Sequence, residues 1–233
     1  MAVSDGHLYL GGAFTSVNGV AVPGVARLNA LTGELVPFVQ PISWGGYSYA
    51  FEVHQGRVFM GSAQGLLVHD AVSGAPLPWN WTTNDAVSAL DLLGDRLYIG
   101  GSFTVIGGVP RTRAAAVHLL ADVLLPWVPI ADAPVVCLSA GDKGIAMAGP
   151  TYGGMLVVDA FTGERLPVYR PFSDTGLIPC HVLSTHDDLL IAADPGTYTG
   201  AYSTSYSESY NMPNGGRSSF SLTSPGWLAA GTL

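Results

Sequence analysis

The chain has 233 residues, of which 48% are hydrophobic and only 11% charged, so it is not a disordered chain and it can form one sizeable core. Its formal net charge is −8 and its 9 basic residues form no cluster, which excludes nucleic acid as a partner because phosphate neutralisation needs concentrated positive charge. No apolar run reaches the roughly 18 residues that a transmembrane helix needs, so we expect no membrane insertion.

A short apolar run that ends in paired small residues recurs along the chain. Its two clearest copies, HLYLGGAF and RLYIGGSF, begin at His7 and Arg96, and weaker copies begin at Arg57, Gly144 and Leu189. A run of this kind predicts a buried strand whose end is approached closely by other backbone. The recurrence indicates an internal repeat.

A second landmark confirms the period of this repeat. A turn of the type Asp-Ala-x-Thr-Gly follows each of the first four copies, in a variant form in the third, and a proline with a bulky neighbour follows the turn. These prolines recur at intervals of about 40 to 50 residues, the length of a four-stranded propeller blade. They are Pro37, Pro78, Pro126 and Pro167.

Each repeat divides into four predicted strands, named a to d. Turn residues separate strand a from b and strand c from d, and proline in strand d is typical of an outer edge strand. In the third repeat the predicted strands are Val87–Leu93, Arg96–Phe103, Ala114–Leu120 and Val123–Trp127. In the fifth repeat a long segment follows strand b, and we predict strand c at Ser218–Ser221 and strand d at Trp227–Ala230.

The sequence therefore predicts an all-β chain, namely a single β-propeller domain with five visible four-stranded blades. The first blade is clipped at its N-terminus, because only Met1–Val3 is left for its strand a. Two alternatives stay open: the five blades close by themselves, or they belong to a larger array. The predicted blades cover approximately residues 1–41, 42–82, 83–130, 131–172 and 173–233.

The signature L-Y-x-G-G-x-F-T, clearest at Leu8–Thr15 and Leu97–Thr104, resembles the delta-60 repeat family of β-propellers. It is also kelch-like, because kelch repeats have a strand-ending glycine pair. Members of the delta-60 family occur in bacterial surface proteins, fungal cortical-marker proteins and minor tail proteins of actinobacterial phages. The resemblance implies a propeller fold and a location in a virion tail or at an extracellular cell surface. Residues Met1–Asp5 do not resemble a secretory signal, which favours the virion.

The two faces of such a propeller differ in their loops. The b–c loops and the connections from strand d to the next strand a lie on one face, here called the loop face, and the short a–b and c–d turns lie on the other, the turn face. The turns are uniform, whereas the b–c loops range from almost nothing in the second repeat to Asp194–Arg217 in the fifth. Length variation on one face of a regular scaffold predicts that ligands bind there.

The candidate ligand-binding residues on the loop face are mostly aromatic. Tyrosine supplies a large contact area at low entropic cost, and intervening serine and glycine residues supply adaptability, as in antibody paratopes. The alternatives are a loop that packs on itself and arginines that are merely solvated. The candidates are Tyr198, Tyr202, Tyr206 and Tyr210, with Trp44 and Tyr47 in the first connection and Arg111 and Arg113 as charged contacts.

Catalysis is a weaker hypothesis, because the chain has no recognisable catalytic motif, and we expect no cofactor and no metal. Glu52 and Asp91 lie in predicted a strands, and two carboxylates across a channel can act as an acid and as a base or nucleophile on a glycan. Asn29, Asp70 and Asp159 recur at one position, where capping of the c–d turn explains them better than calcium binding.

The favoured hypothesis is a non-enzymatic binding or structural module of a phage tail or a bacterial cell surface. Its partner would be a glycan or a cell-surface protein held by the loop face. The first alternative is a glycan-active hydrolase that uses the channel carboxylates. The second is a pure virion-assembly element whose loop face docks onto a neighbouring virion subunit.

Overall fold

The computed structural model of the chain describes residues 1–38, 48–141, 144–149, 155–166, 182–186, 189–193, 206–211, 217–222 and 228–232. The strands after residue 181 are described at the level of the backbone. Within these ranges every regular element is a β-strand, which confirms the all-β prediction.

Besides three small hairpins, the described residues form five antiparallel sheets in chain order, and sheets one and three have four strands each. Sheet one contains β1 (Ala2–Ser4), β2 (His7–Gly11), β5 (Val25–Asn29) and β6 (Leu35–Val36), with a small hairpin of β3 (Ser16–Val17) and β4 (Val20–Ala21) inserted after β2. Sheet two contains β7 (Ser48–His54), β8 (Arg57–Ser62) and β9 (Gly65–Asp70). Sheet three contains β10 (Val87–Leu93), β11 (Arg96–Gly101), β14 (Ala114–His118) and β15 (Val123–Leu124), with a hairpin of β12 (Val105–Ile106) and β13 (Val109–Pro110).

Sheets four and five have three strands each among the described residues. Sheet four contains β16 (Cys137–Gly141), β17 (Gly144–Ala148) and β18 (Met155–Val158). Sheet five contains β19 (Val182–His186), β20 (Leu189–Ala193) and β23 (Leu228–Thr232), with a hairpin of β21 (Tyr206–Asn211) and β22 (Arg217–Leu222). In sheets two and four a single β-bridge takes the place of a fourth strand. It joins His69 to Pro76 in sheet two and Val158 to Arg165 in sheet four. A fourth strand in every blade therefore stays a prediction.

The strand assignment predicted for the fifth repeat is wrong. Residues Ser218–Ser221 lie in β22, which pairs with β21 and not with strand b. The predicted strand d lies in β23, which pairs with β20 and so takes the third position of the sheet. The physical reason is that a hairpin satisfies its backbone by pairing with itself, so its strands need no place in the main sheet.

The first strands of the five sheets, here called the inner strands, contact one another in the order β1, β7, β10, β16 and β19. The apolar core lies between successive sheets. One cluster joins sheets two and three around Phe59, Leu97 and Ile99, and another joins sheets three and four around Tyr98 and Trp127. A third cluster joins sheets one and two around Tyr9 and Phe51, so sheets one to four pack their apolar side chains against their neighbours in the chain.

The strand-ending glycines permit the close backbone approach that the signature predicts. A Cβ atom on Gly101 would overlap the carbonyl oxygen of Ala86, and one on Gly149 would overlap the carbonyl oxygen of Pro134. In both sheets the chain that leads into the inner strand crosses the end of the second strand. Only glycine leaves room for this crossing.

Two tyrosines of the signature tie a sheet to the next one. The hydroxyl of Tyr9 donates to the carbonyl oxygen of Ala71 at 2.9 Å, and the hydroxyl of Tyr98 donates to that of Ala160 at 2.8 Å. Both acceptors lie in the c–d turn of the following sheet. Phe59 occupies the equivalent position in sheet two and has no hydroxyl. The tyrosine of the signature is therefore an inter-sheet contact.

Asn29, Asp70 and Asp159 cap the c–d turns, as predicted. Each Oδ1 atom accepts the N–H groups of the residues two and three positions later, at 2.7–3.1 Å. The backbone N–H of Ser73 holds the pKa of Asp70 below its usual value, and that of Thr162 does the same for Asp159. These carboxylates stabilise turns on the turn face.

Candidate functional site

Two b–c loops on the loop face have the same backbone conformation. We call residues 12–24 loop one and residues 101–113 loop three. Asn18 and Gly19 in loop one have positive φ angles of 50° and 78°, and Gly107 and Gly108 in loop three have 54° and 80°. Three backbone hydrogen bonds of 2.8–3.1 Å close each loop. In loop one they run from Gly12 N to Gly24 O, from Val22 N to Thr15 O and from Gly24 N to Phe14 O. In loop three the equivalent bonds run from Gly101 N to Arg113 O, from Arg111 N to Thr104 O and from Arg113 N to Phe103 O.

Arg111 and Arg113 hold the end of loop three to the connection that follows sheet three. Nη2 of Arg111 donates to the carbonyl oxygen of Leu125 at 3.2 Å, and Nη1 of Arg113 donates to that of Ala131 at 2.6 Å. The Nε atom of Arg111 is buried with no acceptor among the described residues. Both arginines therefore have a structural role, and a contact from either to a ligand stays a prediction.

The predicted aromatic candidates divide into two groups. Trp44, Tyr47, Tyr198 and Tyr202 lie outside the described residues. Tyr206 and Tyr210 lie in β21, where strand structure replaces the irregular loop that the sequence predicts for this part.

The register of β21 and β22 assigns the residues of this hairpin to two different faces. Directly opposed residues share a face, and successive residues alternate between faces. One face receives the aromatic positions of both strands, because Tyr206 is opposite Leu222, Glu208 is opposite Phe220 and Tyr210 is opposite Ser218. The other face receives Ser207, Ser209, Asn211, Arg217, Ser219 and Ser221.

Glu52 and Asp91 occupy equivalent positions on adjacent inner strands. Glu52 is opposite Phe59 in the β7–β8 register, and Asp91 is opposite Tyr98 in the β10–β11 register. Asp91 bridges two sheets, because its Oδ2 atom accepts the N–H of Ala140 in β16 at 2.7 Å. Its Oδ1 atom accepts the N–H of Leu92 at 2.8 Å. The carboxylate of Asp91 is thus fixed by backbone donors on both sides.

Burial dominates the electrostatics of this pair. Burial, reinforced by the negative charge of Asp91, raises the pKa of Glu52 to about 8. Burial also raises the pKa of Asp91, against hydrogen bonds from Ala140, Leu92 and Ser139 that lower it. At neutral pH, Glu52 is therefore mostly protonated and can donate a proton.

Ser139 is the member of this inner row that sequence reasoning missed. It is buried, and it is opposite Ala146 in the β16–β17 register, the position equivalent to that of Asp91. Counting back from the apolar run at Gly144–Ala148 identifies it, because the hairpin register repeats from sheet to sheet. In sheet one the same position is Ala2.

Metal and membrane sites are not evident in the described part of the chain. There, no three histidine, cysteine or acidic side chains come together as a metal site. No helix within the described ranges is long and apolar enough to cross a membrane.

Comparison with known proteins identifies the fold. A family model described as a domain of unknown function (DUF5122) beta-propeller matches residues 4–35. No curated protein matches the chain significantly.

Three solved structures are similar to the chain over most of its length. The computationally designed Ika8 protein matches with a TM-score of 0.59 and 14% identity, over 82% of this chain and 53% of that one. The designed Ika4 protein matches with 0.51 and 14%, over 78% and 94%. The WD40 domain of Neurospora crassa Pan2 matches with 0.52 and 12%, over 88% and 58%.

The chain therefore spans about half the length of the Ika8 protein. Identities this low concern the fold alone. With the matched family model, they show that the chain has a β-propeller-type fold.

Proposed function

We propose that the chain is a non-enzymatic binding module that recognises a glycan or a surface protein through its loop face. The β-propeller-type fold supports a binding or structural role, since such scaffolds carry variable loops on rigid sheets. The observation that carries the proposal is the register of β21 and β22, which puts Tyr206, Tyr210 and Phe220 on one face of a hairpin in the longest loop.

The chemistry of this hairpin suits a hydroxyl-rich or polar partner. Tyrosine combines an apolar ring with a hydrogen-bonding hydroxyl, and Glu208 on the same face accepts hydrogen bonds. The opposite face has only serine, asparagine and arginine, so it offers a matched control surface within the same element.

The experiment compares two double variants on the two faces of the hairpin. Tyr206→Ser with Tyr210→Ser should weaken binding to host cells or to a glycan array by roughly ten-fold or more, as expected for aromatic anchors. Ser207→Ala with Ser209→Ala should leave binding unchanged. Equal binding by both variants would refute the proposal. Glycosidase treatment of the cells separates a glycan ligand from a protein ligand, which protease treatment removes.

We also propose that the protein works in a phage tail or at a bacterial cell surface. We propose further that the five sheets are the blades of one propeller spanning residues 1–233. The support for the setting is the repeat signature of sheets one and three, which resembles the delta-60 family. Tail genes on both sides of the coding gene would support the virion, and a conserved surface-anchoring neighbour would support the cell surface.

A second candidate function is glycan hydrolysis by Glu52 and Asp91. The observation that favours it is the raised pKa of Glu52, which suits a general acid, beside a fixed carboxylate on the adjacent inner strand. Glu52→Gln should abolish turnover of a polysaccharide, and Glu34→Gln, at an exposed glutamate beside the c–d turn of sheet one, is the control. A broad polysaccharide panel without turnover by the unmodified chain would exclude this candidate.

The third candidate, a pure virion-assembly element, has a different outcome in the same experiments. The isolated chain would bind neither glycan nor cells, and it would co-purify with another virion protein. If the unmodified chain binds cells and the Tyr206 and Tyr210 double variant does not, the assembly candidate is excluded.

A further inference from the structure

Loop three is covered by a neighbouring segment of the chain. The segment Asn80–Asp85, which connects sheets two and three, lies across it. Oδ1 of Asn84 accepts the N–H groups of Thr104 and Val105, both at 2.9 Å. The N–H of Gly107 donates to the carbonyl oxygen of Thr82 at 2.8 Å. Asp122 in the c–d turn also holds the cover, because its Oδ1 and Oδ2 atoms accept hydrogen bonds from Nε1 of Trp81 and Nδ2 of Asn80, both at 2.7 Å. The cover is therefore held by backbone groups of the loop and by this turn.

Apolar contacts complete this cover. The ring of Trp81 lies against Gly107, where a Cβ atom would be 2.6 Å from the ring. Phe103 and Ile106 beneath the cover are 0% exposed. The covering segment thus contributes an aromatic ring and, three residues later, an asparagine acceptor.

Loop one has the same backbone but no such cover in the described structure. The N–H groups of Thr15 and Ser16, equivalent to those of Thr104 and Val105, have no acceptor among the described residues. Phe14 remains partly exposed where its equivalent is fully buried, and Val20 is 50% exposed. Within the described ranges, loop one therefore presents two unpaired donors beside an apolar surface. Its tip is joined to the c–d turn of sheet one by a 2.9 Å hydrogen bond from Nδ2 of Asn18 to the carbonyl oxygen of Gly33.

We propose that loop one is a docking site for a connecting segment of another β-repeat unit, with an asparagine or aspartate three residues after an aromatic residue. The occupied loop three is the template for this complex. Residues 12–24 include no ionisable side chain, so the segment is held by hydrogen bonds and apolar contact. A second copy is not the occupant, because Trp81–Asn84 is the one Trp-x-x-Asn segment of the sequence and is already bound to loop three.

The test uses the full chain and a synthetic peptide with the sequence of residues 78–86, PWNWTTNDA. Addition of millimolar peptide should shift the NMR amide signals of Thr15 and Ser16 saturably. A peptide with alanine in place of the asparagine that corresponds to Asn84 should bind at least about ten-fold more weakly, since it lacks the acceptor for both amides. Binding should not change between low and high salt.

The protein variants are Val17→Asp in loop one and Ile130→Asp in the connection after sheet three, where Ile130 is 83% exposed. Val17→Asp should remove peptide binding, and Ile130→Asp should not. Unchanged unfolding midpoints verify that both variants are folded. The proposal is overturned if the peptide causes no shift, if the shifts lie outside loop one, or if Val17→Asp binds like the unmodified chain. A dimer in solution that Val17→Asp dissociates would also overturn it, because the occupant would then be a second copy.

Discussion

Loop one and loop three have the same hydrogen-bonded backbone, yet only loop three has fully buried apolar side chains. Phe103 and Ile106 are fully buried, whereas their equivalents Phe14 and Val17 are partly exposed. The difference comes from the segment Asn80–Asp85, which covers loop three alone. The comparison teaches that the repeat signature determines the backbone of a loop, while the adjacent segment determines how much its side chains stabilise the fold.

The largest expected effect tests this difference directly. Phe103→Ala should lower the free energy of unfolding by about 3–5 kcal/mol, because it leaves a cavity in a closed core. Phe14→Ala should cost about 1 kcal/mol, since this ring is already partly in water. Urea unfolding of the two variants measures both values. Equal losses would mean that loop one is covered in solution.

The comparison extends to the inner strands, where sheets one and three carry Ala2 and Asp91 at one position and sheet two carries Glu52. The pKa of Glu52 rises from its ordinary value of 4.5 to about 8 on folding. The folded chain therefore keeps a proton that the unfolded chain releases, so stability falls as pH rises from about 5 to 9.

Glu52→Gln should remove this dependence and stabilise the chain by about 3 kcal/mol at pH 9, with little effect at pH 4. Thermal unfolding across this pH range measures the change. Since Asp91 also has a raised pKa, a smaller dependence of the same sign should remain. An unchanged pH profile of the variant would show that Glu52 is solvated in the folded chain.

Asp91→Ala makes the inner position of sheet three like that of sheet one. It leaves the N–H groups of Ala140 and Leu92 without their acceptor, so we expect a loss of about 2 kcal/mol at pH 7. Asp91→Asn retains one acceptor oxygen and should cost less. Chemical unfolding of both variants measures the order, and a reversed order would contradict the role of the Asp91 oxygens as acceptors for these two N–H groups.

The smallest effect concerns the inter-sheet hydrogen bonds of Tyr9 and Tyr98. Tyr98→Phe removes one hydroxyl donor to Ala160 and should cost about 1 kcal/mol, and Tyr9→Phe should cost a similar amount or less. Phe59 at the equivalent position of sheet two shows that the ring fits without the hydroxyl. A loss above that of Phe103→Ala would contradict the assignment of these hydroxyls as secondary contacts.

Much of the fold was predictable because the repeat signature is a local pattern. The predicted Val87–Leu93 strand matches β10 at both ends, and Asn29, Asp70 and Asp159 cap turns as expected. Both rest on interactions within a few residues. Such short-range geometry is readable from sequence spacing.

What could not be predicted depends on distant partners. The bond from the Ala140 amide to Asp91 joins different repeats, and nothing in the sequence near Asp91 indicates it. The hairpin of β21 and β22 was missed because its strands pair with each other, and alternation alone does not say which strand is the partner. The cover of loop three by Asn84 was missed for the same reason.

The hydrogen bonds of Tyr9 and Tyr98 have a mechanical consequence, because each joins one sheet only to the next. They link Tyr9 to Ala71 and Tyr98 to Ala160. A chain joined by nearest-neighbour contacts yields one unit at a time. When the two ends are pulled apart in an optical trap, we expect successive rips, each releasing one sheet, in place of a single rupture. Sheet one, with its uncovered loop, should give the rip at the lowest force among sheets one, two and three.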